Sequence, residues 1–368
     1  MAWDWDYVSA NFTEFTRFSQ PTAGGLFSYP DLSKELLVRA KPDWIFRRYI
    51  NKVADFTRGK GDYILFDRLT SAWKEVLQGQ GSTPPLKDIQ LNENDPVPNI
   101  NIGVKRFSIK VYETAFAMPM TERVQLMARY DVKAIIDQYL RELTVQTIDA
   151  KIVWEGIGKI DLIAKKTSTG LTIVEGQAIK GGTVATESGF PISVGQLSIP
   201  AAETAGTLTI QDVLTIKAEM IKRRMRQHAA AVICNVNFFL SIFQDTQFMQ
   251  IVAFSRPERF EKGELGSVFG FVFIVDNSEH LDKLLSEIPG NVTGGGQKYN
   301  SIAVFLADDG IREAIALPEE VRTDVPLELG RFQRIGMVTY RGQSPLWFAS
   351  DPDNVDPKQG AGFVLIGK

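Results

Sequence analysis

The stretch KRFSIKVYETAFAM (residues 105–118) runs almost directly into TERVQLMARYDVKAIIDQYLRELTVQTIDAKIVWE (residues 121–155), a long strand feeding an unusually long helical pattern. With GDYILFDRL at 61–69, the first stretch predicts a hairpin-like pair of strands. An isolated two-stranded ribbon is marginal in water, so the pair needs another surface to cover it. In the helical stretch, Thr121 is placed as N-cap and Glu122 sits at the positive end. Val124, Ala128, Val132, Ile135, Tyr139 and Leu143 recur at steps of three and four and form the expected core face; Gln125, Arg129, Lys133, Asp137 and Arg141 line the opposite side. Gly156 and Gly158 end the pattern, so at ~1.5 Å per residue the rod is ~50 Å long.

The rest of the chain supplies lobes around this arm. Residues 1–57 alternate aromatic and charged residues with turn formers and read as an extended arm. Between the two strands, Pro84, Pro85, Pro96 and Pro98 mark an excursion too long for an ordinary loop. Residues 160–206 are rich in Gly, Thr and Ser, with short alternating runs such as LTIVEG and ISVGQLSIP, a pattern of ribbon and loops. From Thr209, with Asp212 three positions on as a capping box, a compact α+β unit begins: a helix to about His228, the strand AAAVICNV, a helix through NFFLSIFQDT, the strands QIVAF and SVFGFVFIVDN, a helix from His280 to Ile288, and the strand SIAVFLAD. RFQRIGMVTYRGQSPLWFAS reads as two returning strands, and residues 351–368 as a tail. The fold class is α+β, with lobes built from discontinuous segments.

Catalytic chemistry finds little material. The chain has 368 residues, 44% of them apolar, a formal charge of −3, one cysteine and two histidines. That charge argues against a protein that grips nucleic acid by neutralising phosphates. Cys234 lies in an apolar run and reads as core; His228 and His280 do not pair with it, and no metal, cofactor or nucleophile motif is present. Asp351, Asp353 and Asp356 lack the spacing of a calcium loop; Asp308 and Asp309 before Gly310 read as a turn, and Gly294 to Gly296 as a loop tip. We therefore expect no catalytic, cofactor or metal residues. Lys222, Arg223, Arg224 and Arg226 form a basic cluster that can either meet acidic groups of a neighbouring subunit or stay a solvated helix face. Met1 opens neither a signal peptide nor a membrane span, so the expectation is a chain made in the cytosol with no membrane association.

This order of segments resembles the major capsid proteins of tailed bacteriophages, which have the Hong Kong 97-type fold. KRFSIKVYETAFAMPMTERVQL is similar to that family's E-loop leading into its spine helix, LTIQDVLTIKAEMIKRRM followed by AAAVICNVNFFLSIFQD to the opening of its A-domain, and RIGMVTYRGQSPLWFA to its closing P-domain strands. The resemblance implies an N-terminal arm at 1–57, an E-loop at 58–118, a P-domain at 119–206 and 331–350 with its spine at about 121–155, an A-domain at 207–330, and a tail at 351–368. It further implies a shell of pentamers and hexamers that encloses double-stranded DNA without reading its sequence. In that picture the E-loop lies across the adjacent subunit, burying Phe107, Ile109 and Val111 there. About fifty-seven residues precede the E-loop, so a separate scaffolding protein is the expected partner, with a portal protein and a possible cement protein; the expected location is the virion, after synthesis in the host cytoplasm. Two other readings stand beside it: an encapsulin-type bacterial compartment with the same fold, and a carboxylate-dependent hydrolase or sugar-binding protein.

Overall fold

Order along the chain is set by strands of two to fourteen residues interspersed with helices. The computed structural model describes residues 45–53, 63–69, 90, 104–127, 132–184, 192–225, 231–248, 250, 267–293, 296–308, 310–324, 331–351 and 360–368. The strands are β1 (Asn51–Val53), β2 (Tyr63–Leu69), β3 (Val104–Lys110), β4 (Tyr112–Thr121), β5 (Leu162–Thr167), β6 (Gly170–Glu175), β7 (Gln177–Ala178), β8 (Gly182–Val184), β9 (Ile192–Gln196), β10 (Ala231–Cys234), β11 (Ser267–Val268), β12 (Phe271–Val275), β13 (Val292–Thr293), β14 (Gly296–Gln297), β15 (Ser301–Leu306), β16 (Ile311–Thr323), β17 (Phe332–Pro345) and β18 (Gly362–Gly367). The helices are α1 (Glu122–Met127), α2 (Val132–Lys151), α3 (Ile210–Lys222), α4 (Val236–Gln244) and α5 (His280–Ser286). The chain divides into two units, the smaller holding Tyr112–Ile148 and Ala316–Arg341, the larger Ile45–Val111, Asp149–Ile315 and Gly342–Lys368.

The larger unit is organised by a seven-stranded sheet in the order β11-β12-β10-β15-β18-β5-β6. Its central strands are buried along their whole length. Alternation sends Cys234, Phe305, Phe363 and Leu365 into one core, which α3 closes with Val213, Ile216 and Met220 and α4 with Phe238 and Ile242. Phe271 and Phe305 meet edge to face, ring centroids 5.3 Å apart. Residues of opposite parity, including Ile302, Val304, Val364 and Ile366, are equally buried, and α5, whose Leu281, Leu284 and Leu285 are enclosed, packs on the β15 side. Helix α3 starts with the expected capping box: the Thr209 side chain accepts from the N3 backbone, and the Asp212 carboxylate accepts from the Thr209 N–H at 2.9 Å.

This sheet crosses the borders drawn from sequence. Strands β5 and β6 come from the stretch read as ribbon, and β18 from the stretch read as a tail; β18 instead lies between β15 and β5, antiparallel to the first and parallel to the second. The run read as one strand, SVFGFVFIVDN, folds as the hairpin β11–β12 because Phe269 (φ 53°) and Gly270 (φ 81°) turn the chain between them. The two expected returning strands form one continuous β17, and β16 was not anticipated. Residues 251–254 of QIVAF lie outside the described residues.

In the smaller unit, β4 pairs antiparallel with β17 from Thr121↔Phe332 to Tyr112↔Arg341. As an edge strand, β4 tolerates Pro119, whose missing N–H costs no ladder bond there. Phe116, Met118 and Met120 turn one face toward α1 and α2, where Val124, Val132, Ile136 and Leu140 complete a core. The buried stripe of α2 is therefore Val132, Ile136, Leu140 and Thr144, rotated from the expected face, and Tyr139 is 51% exposed. Helical structure continues past α2 as a π-turn over Ile152–Gly156 and a 3₁₀ turn over Ile157–Lys159, so α2 ends near the expected glycines, while residues 128–131 between α1 and α2, Ala128 and Arg129 among them, lie outside the described residues.

Candidate functional site

The ribbon expected from the sequence breaks in two in the structure. KRFSIKVYETAFAM is not one strand: it breaks at Val111, leaving β3 to pair with β2 and β4 with β17. In the β2–β3 register Phe66 lies opposite Phe107 and Ile64 opposite Ile109, so all four share one face. That face packs on Ala178, Ile192, Val194, Ala314, Leu346 and Phe348 of the same chain. Phe107 and Ile109 are each only 2% exposed, and Val111 is partly buried against the same cluster. Phe107 and Ile109 are thus enclosed by their own chain and have little surface left to bury against a neighbouring copy, because β7, β9, Ala314 of β16 and the residues Leu346 and Phe348 just after β17 supply the surface that the ribbon needs. The other face carries Tyr63 and Leu65, both 47% exposed.

The basic cluster divides in the same way. Arg223 follows the last turn of α3 and is buried; its guanidinium bonds the Glu175 carboxylate and lies 5.7 Å from the Phe363 ring centroid. It is an internal residue, not the surface cation expected. Lys222 is exposed and bonds Glu219 at 2.6 Å. Arg224 is exposed and occupies the left-handed region at φ 55°. Arg226 lies outside the described residues.

A surface that the sequence did not suggest lies on the smaller unit. Along β4 and β17, the face opposite Phe116 and Met118 presents the pairs Ala115 with Val338 and Ala117 with Gly336. An antiparallel sheet with one wet face normally puts polar side chains on it; here the floor is small and apolar. A groove of about 450 Å³ opens over these residues, with Arg322, Arg334 and Asp324 contributing charge to its lining. Gly336 keeps the floor low, since a Cβ there would stand 2.8 Å from the Ala117 Cβ. At one end Tyr340 bonds Glu113 across the strands, and that bond is the main cause of its raised pKa.

Buried titratable groups are dispersed and engaged in structure. Asp149 accepts from the N–H groups of Ile45 (2.9 Å) and Arg47 (3.3 Å), and Arg47 Nε lies 3.2 Å from Glu313. Burial raises the Asp149 pKa against the lowering effect of those N–H groups. Asp161 accepts from the Ser350 N–H (2.7 Å) and hydroxyl (2.8 Å) through Oδ2, leaves Oδ1 without a partner, and is likewise pushed up by burial. Burial, with Asp276 nearby, pushes the Cys234 thiol up to about 12. His280 is pulled down by burial against the opposing pull of Asp276 and Asp149. Among the described residues no group of three or more His, Cys, Asp or Glu is placed to hold a metal, and no helix is long and apolar enough to cross a membrane. Asp351 is buried; Asp353, Asp356, Asp309 and His228 lie outside the described residues.

No protein-family model matches the sequence, and no curated protein does. Solved structures do match, along nearly the whole chain. The capsid protein of cyanophage Pam1 is similar over 96% of this chain and 98% of its own, with a TM-score of 0.61 and 15% identity. The capsid of Ralstonia phage GP4 matches over 95% and 98%, at TM-score 0.56 and 12% identity. The capsid of cyanophage P-SCSP1u matches over 92% of both chains, at TM-score 0.55 and 12% identity. The fold of this chain is the one seen in these phage capsid structures. The likeness runs along nearly the full length of both chains, so what is shared is the fold of the whole chain and not of a single lobe.

Proposed function

We propose that this chain is a major capsid protein that assembles with copies of itself into an icosahedral shell enclosing double-stranded DNA, and that its role is structural and not enzymatic. The observation that carries the reading is the shared fold over nearly the full length of several phage capsid chains. The formal charge of −3 fits a container that surrounds DNA without gripping its phosphates. On this reading residues 58–118 form the E-loop, α2 the spine, and the unit opening at α3 the A-domain, to which β5, β6 and β18 belong because they complete its sheet. Ring contacts around five-fold and six-fold axes then close the shell. Scaffolding and portal proteins, and a cement protein where one is used, are the partners this role calls for, and the virion is its location.

Negative-stain microscopy of the expressed protein, alone and with a scaffolding protein, tests the reading. Closed particles of uniform diameter are expected, and particles recovered from infected cells should protect double-stranded DNA from nuclease. A chain that stays monomeric under every assembly condition overturns the proposal.

A further inference from the structure

We propose that the corner joining β12 to α5, from Asp276 to His280, is an acid-operated latch: a proton on His280 opens it and frees the first turn of α5, while the seven-stranded sheet stays formed. The latch belongs to the folded chain and does not depend on assembly.

One side chain holds the corner shut. Asp276 ends the β12 side, is 3% exposed, and donates its own N–H to the Cys234 carbonyl at 2.7 Å. Its Oδ1 accepts from the Ser278 N–H at 2.8 Å and from the Ser278 hydroxyl; its Oδ2 accepts from the Leu281 N–H at 3.0 Å. Asp276 thereby satisfies a helix N–H that a capping residue would otherwise take. Glu279, the residue in the cap position, contributes no side-chain bond and sits in the left-handed region at φ 60°, a conformation that is unfavourable for a residue with a Cβ. The closed corner is therefore strained, and its closure depends on a single carboxylate.

His280 is placed where a proton finds no partner. Its Nε2 is buried and has no hydrogen-bond partner among the described residues. The charged groups that face the ring are Asp276, Asp149 near the end of α2, and Lys283 on α5 itself. Glu279 is exposed, and Asp282 is turned to the Asn235 amide at 2.6 Å. Both facing carboxylates are already engaged, Asp149 by the N–H groups of Ile45 and Arg47. A cationic ring in the closed corner thus carries a buried N–H without an acceptor, which is expensive, whereas an open turn gives it water. Burial accordingly lowers the His280 pKa below 6.5 against the pull of both carboxylates. The closed form is then fully stable above that pH and loses stability as pH falls through it.

Opening stays local because the turn itself holds little core. Asn277 and Glu279 are exposed and Ser278 is half-buried. Leu284 and Leu285 are fully buried and keep the rest of α5 against β15 and the turn at Ile152–Gly156, and segments with few buried contacts open at lower cost than the global unfolding of a chain.

Amide hydrogen exchange of the full-length chain, read by mass spectrometry at pH 7.5 and 5.5 and corrected for the intrinsic rate at each pH, tests the latch. With an open-state pKa of about 6.5, protection over Ser278 to Lys283 should fall by up to about tenfold at pH 5.5, while β15 keeps its protection. In His280→Gln the fall should be absent. A corner whose protection is the same at both pH values, a loss shared equally by β15, or an equal loss in His280→Gln overturns the proposal. Proton magnetic resonance of the imidazole rings gives a second readout that leaves the corner intact. The chain has two histidines, so the ring signal that survives in His228→Gln belongs to His280. It should titrate below 6.5; titration at or above that value overturns the latch as well.

Discussion

At the scale of single residues, the buried ionisable groups give the stability of this chain a pH signature. Asp161 has its folded pKa raised above the ordinary 3.8 by burial, so in that window the folded chain holds the proton more firmly than the unfolded chain does. Its contribution to stability is therefore full at low pH and declines as pH rises from about 4 through the raised value. Asp161→Asn should remove the decline: in thermal melts the variant gains on wild type between pH 4 and pH 7, and a melting difference independent of pH would contradict the assignment. His280 acts in the opposite direction. Its folded pKa is lowered below 6.5, so stability falls as pH drops below that value, and His280→Gln should flatten the loss between pH 6.5 and 5. Cys234, whose thiol is pushed up to about 12, should resist Ellman's reagent in the folded chain and react fully in 6 M guanidinium. Prompt reaction in the folded state would place that strand differently. The sequence already marked Cys234 as core, because its neighbours are apolar on both sides. It gave Arg223 no such mark, since the partner that internalises it, Glu175, lies 48 positions away.

At the scale of elements, the two periods of hydrophobic patterning were legible and the partners they address were not. The capping box at Thr209, the strands β10 and β15 and the helices α4 and α5 all follow from local pattern. The phase of α2 did not, because apolar residues at 135, 136, 139, 140 and 143 support two adjacent faces, and packing against Met118, Met120 and Ile335 selects the one holding Ile136 and Leu140. Strand β16 escaped notice because it carries Pro318 and the charges Glu313, Glu319, Glu320 and Arg322, with no clean alternation. The ribbon is the instructive case. Its need for a covering surface was read from residue type, but not that β7, β9, Ala314 of β16 and the residues just after β17 provide one within the same molecule. Phe107→Ala should thus destabilise the unassembled chain by about 3–5 kcal/mol, the range for emptying a buried aromatic site. Urea unfolding of monomeric subunit measures this; an unchanged midpoint accompanied by lost assembly would return Phe107 to an intermolecular role.

For the whole molecule, the decisive element is the last one. Strand β18 pairs with β15 along six residues and with β5 on its other side, so the seven-stranded sheet closes only when the end of the chain arrives. Deleting residues 362–368 should leave a chain that does not fold cooperatively, with its near-ultraviolet circular dichroism lost, and not a folded chain that merely fails to assemble. A deletion variant with a native spectrum would show that the sheet holds without this interior strand. Similarity to phage capsids at 10–15% identity fits this picture, because a fold specified by the sizes and order of layers survives wide change in the side chains that fill them.

The sequence by itself determined the mixed α+β class, a helix following directly on a strand at Glu122, and the capped helix opening at Thr209 with strands β10 and β15 after it. These depend on spacing within one segment, which is set by the 3.6-residue and two-residue repeats of the backbone. Tertiary structure alone decided which sheet each strand joins, which face of the rod is dry, that the ribbon's aromatic face turns inward, and that an apolar groove lies on the opposite side of β4. Those outcomes depend on contacts between residues far apart in the chain, and a local pattern can state that a surface must be covered without stating by what.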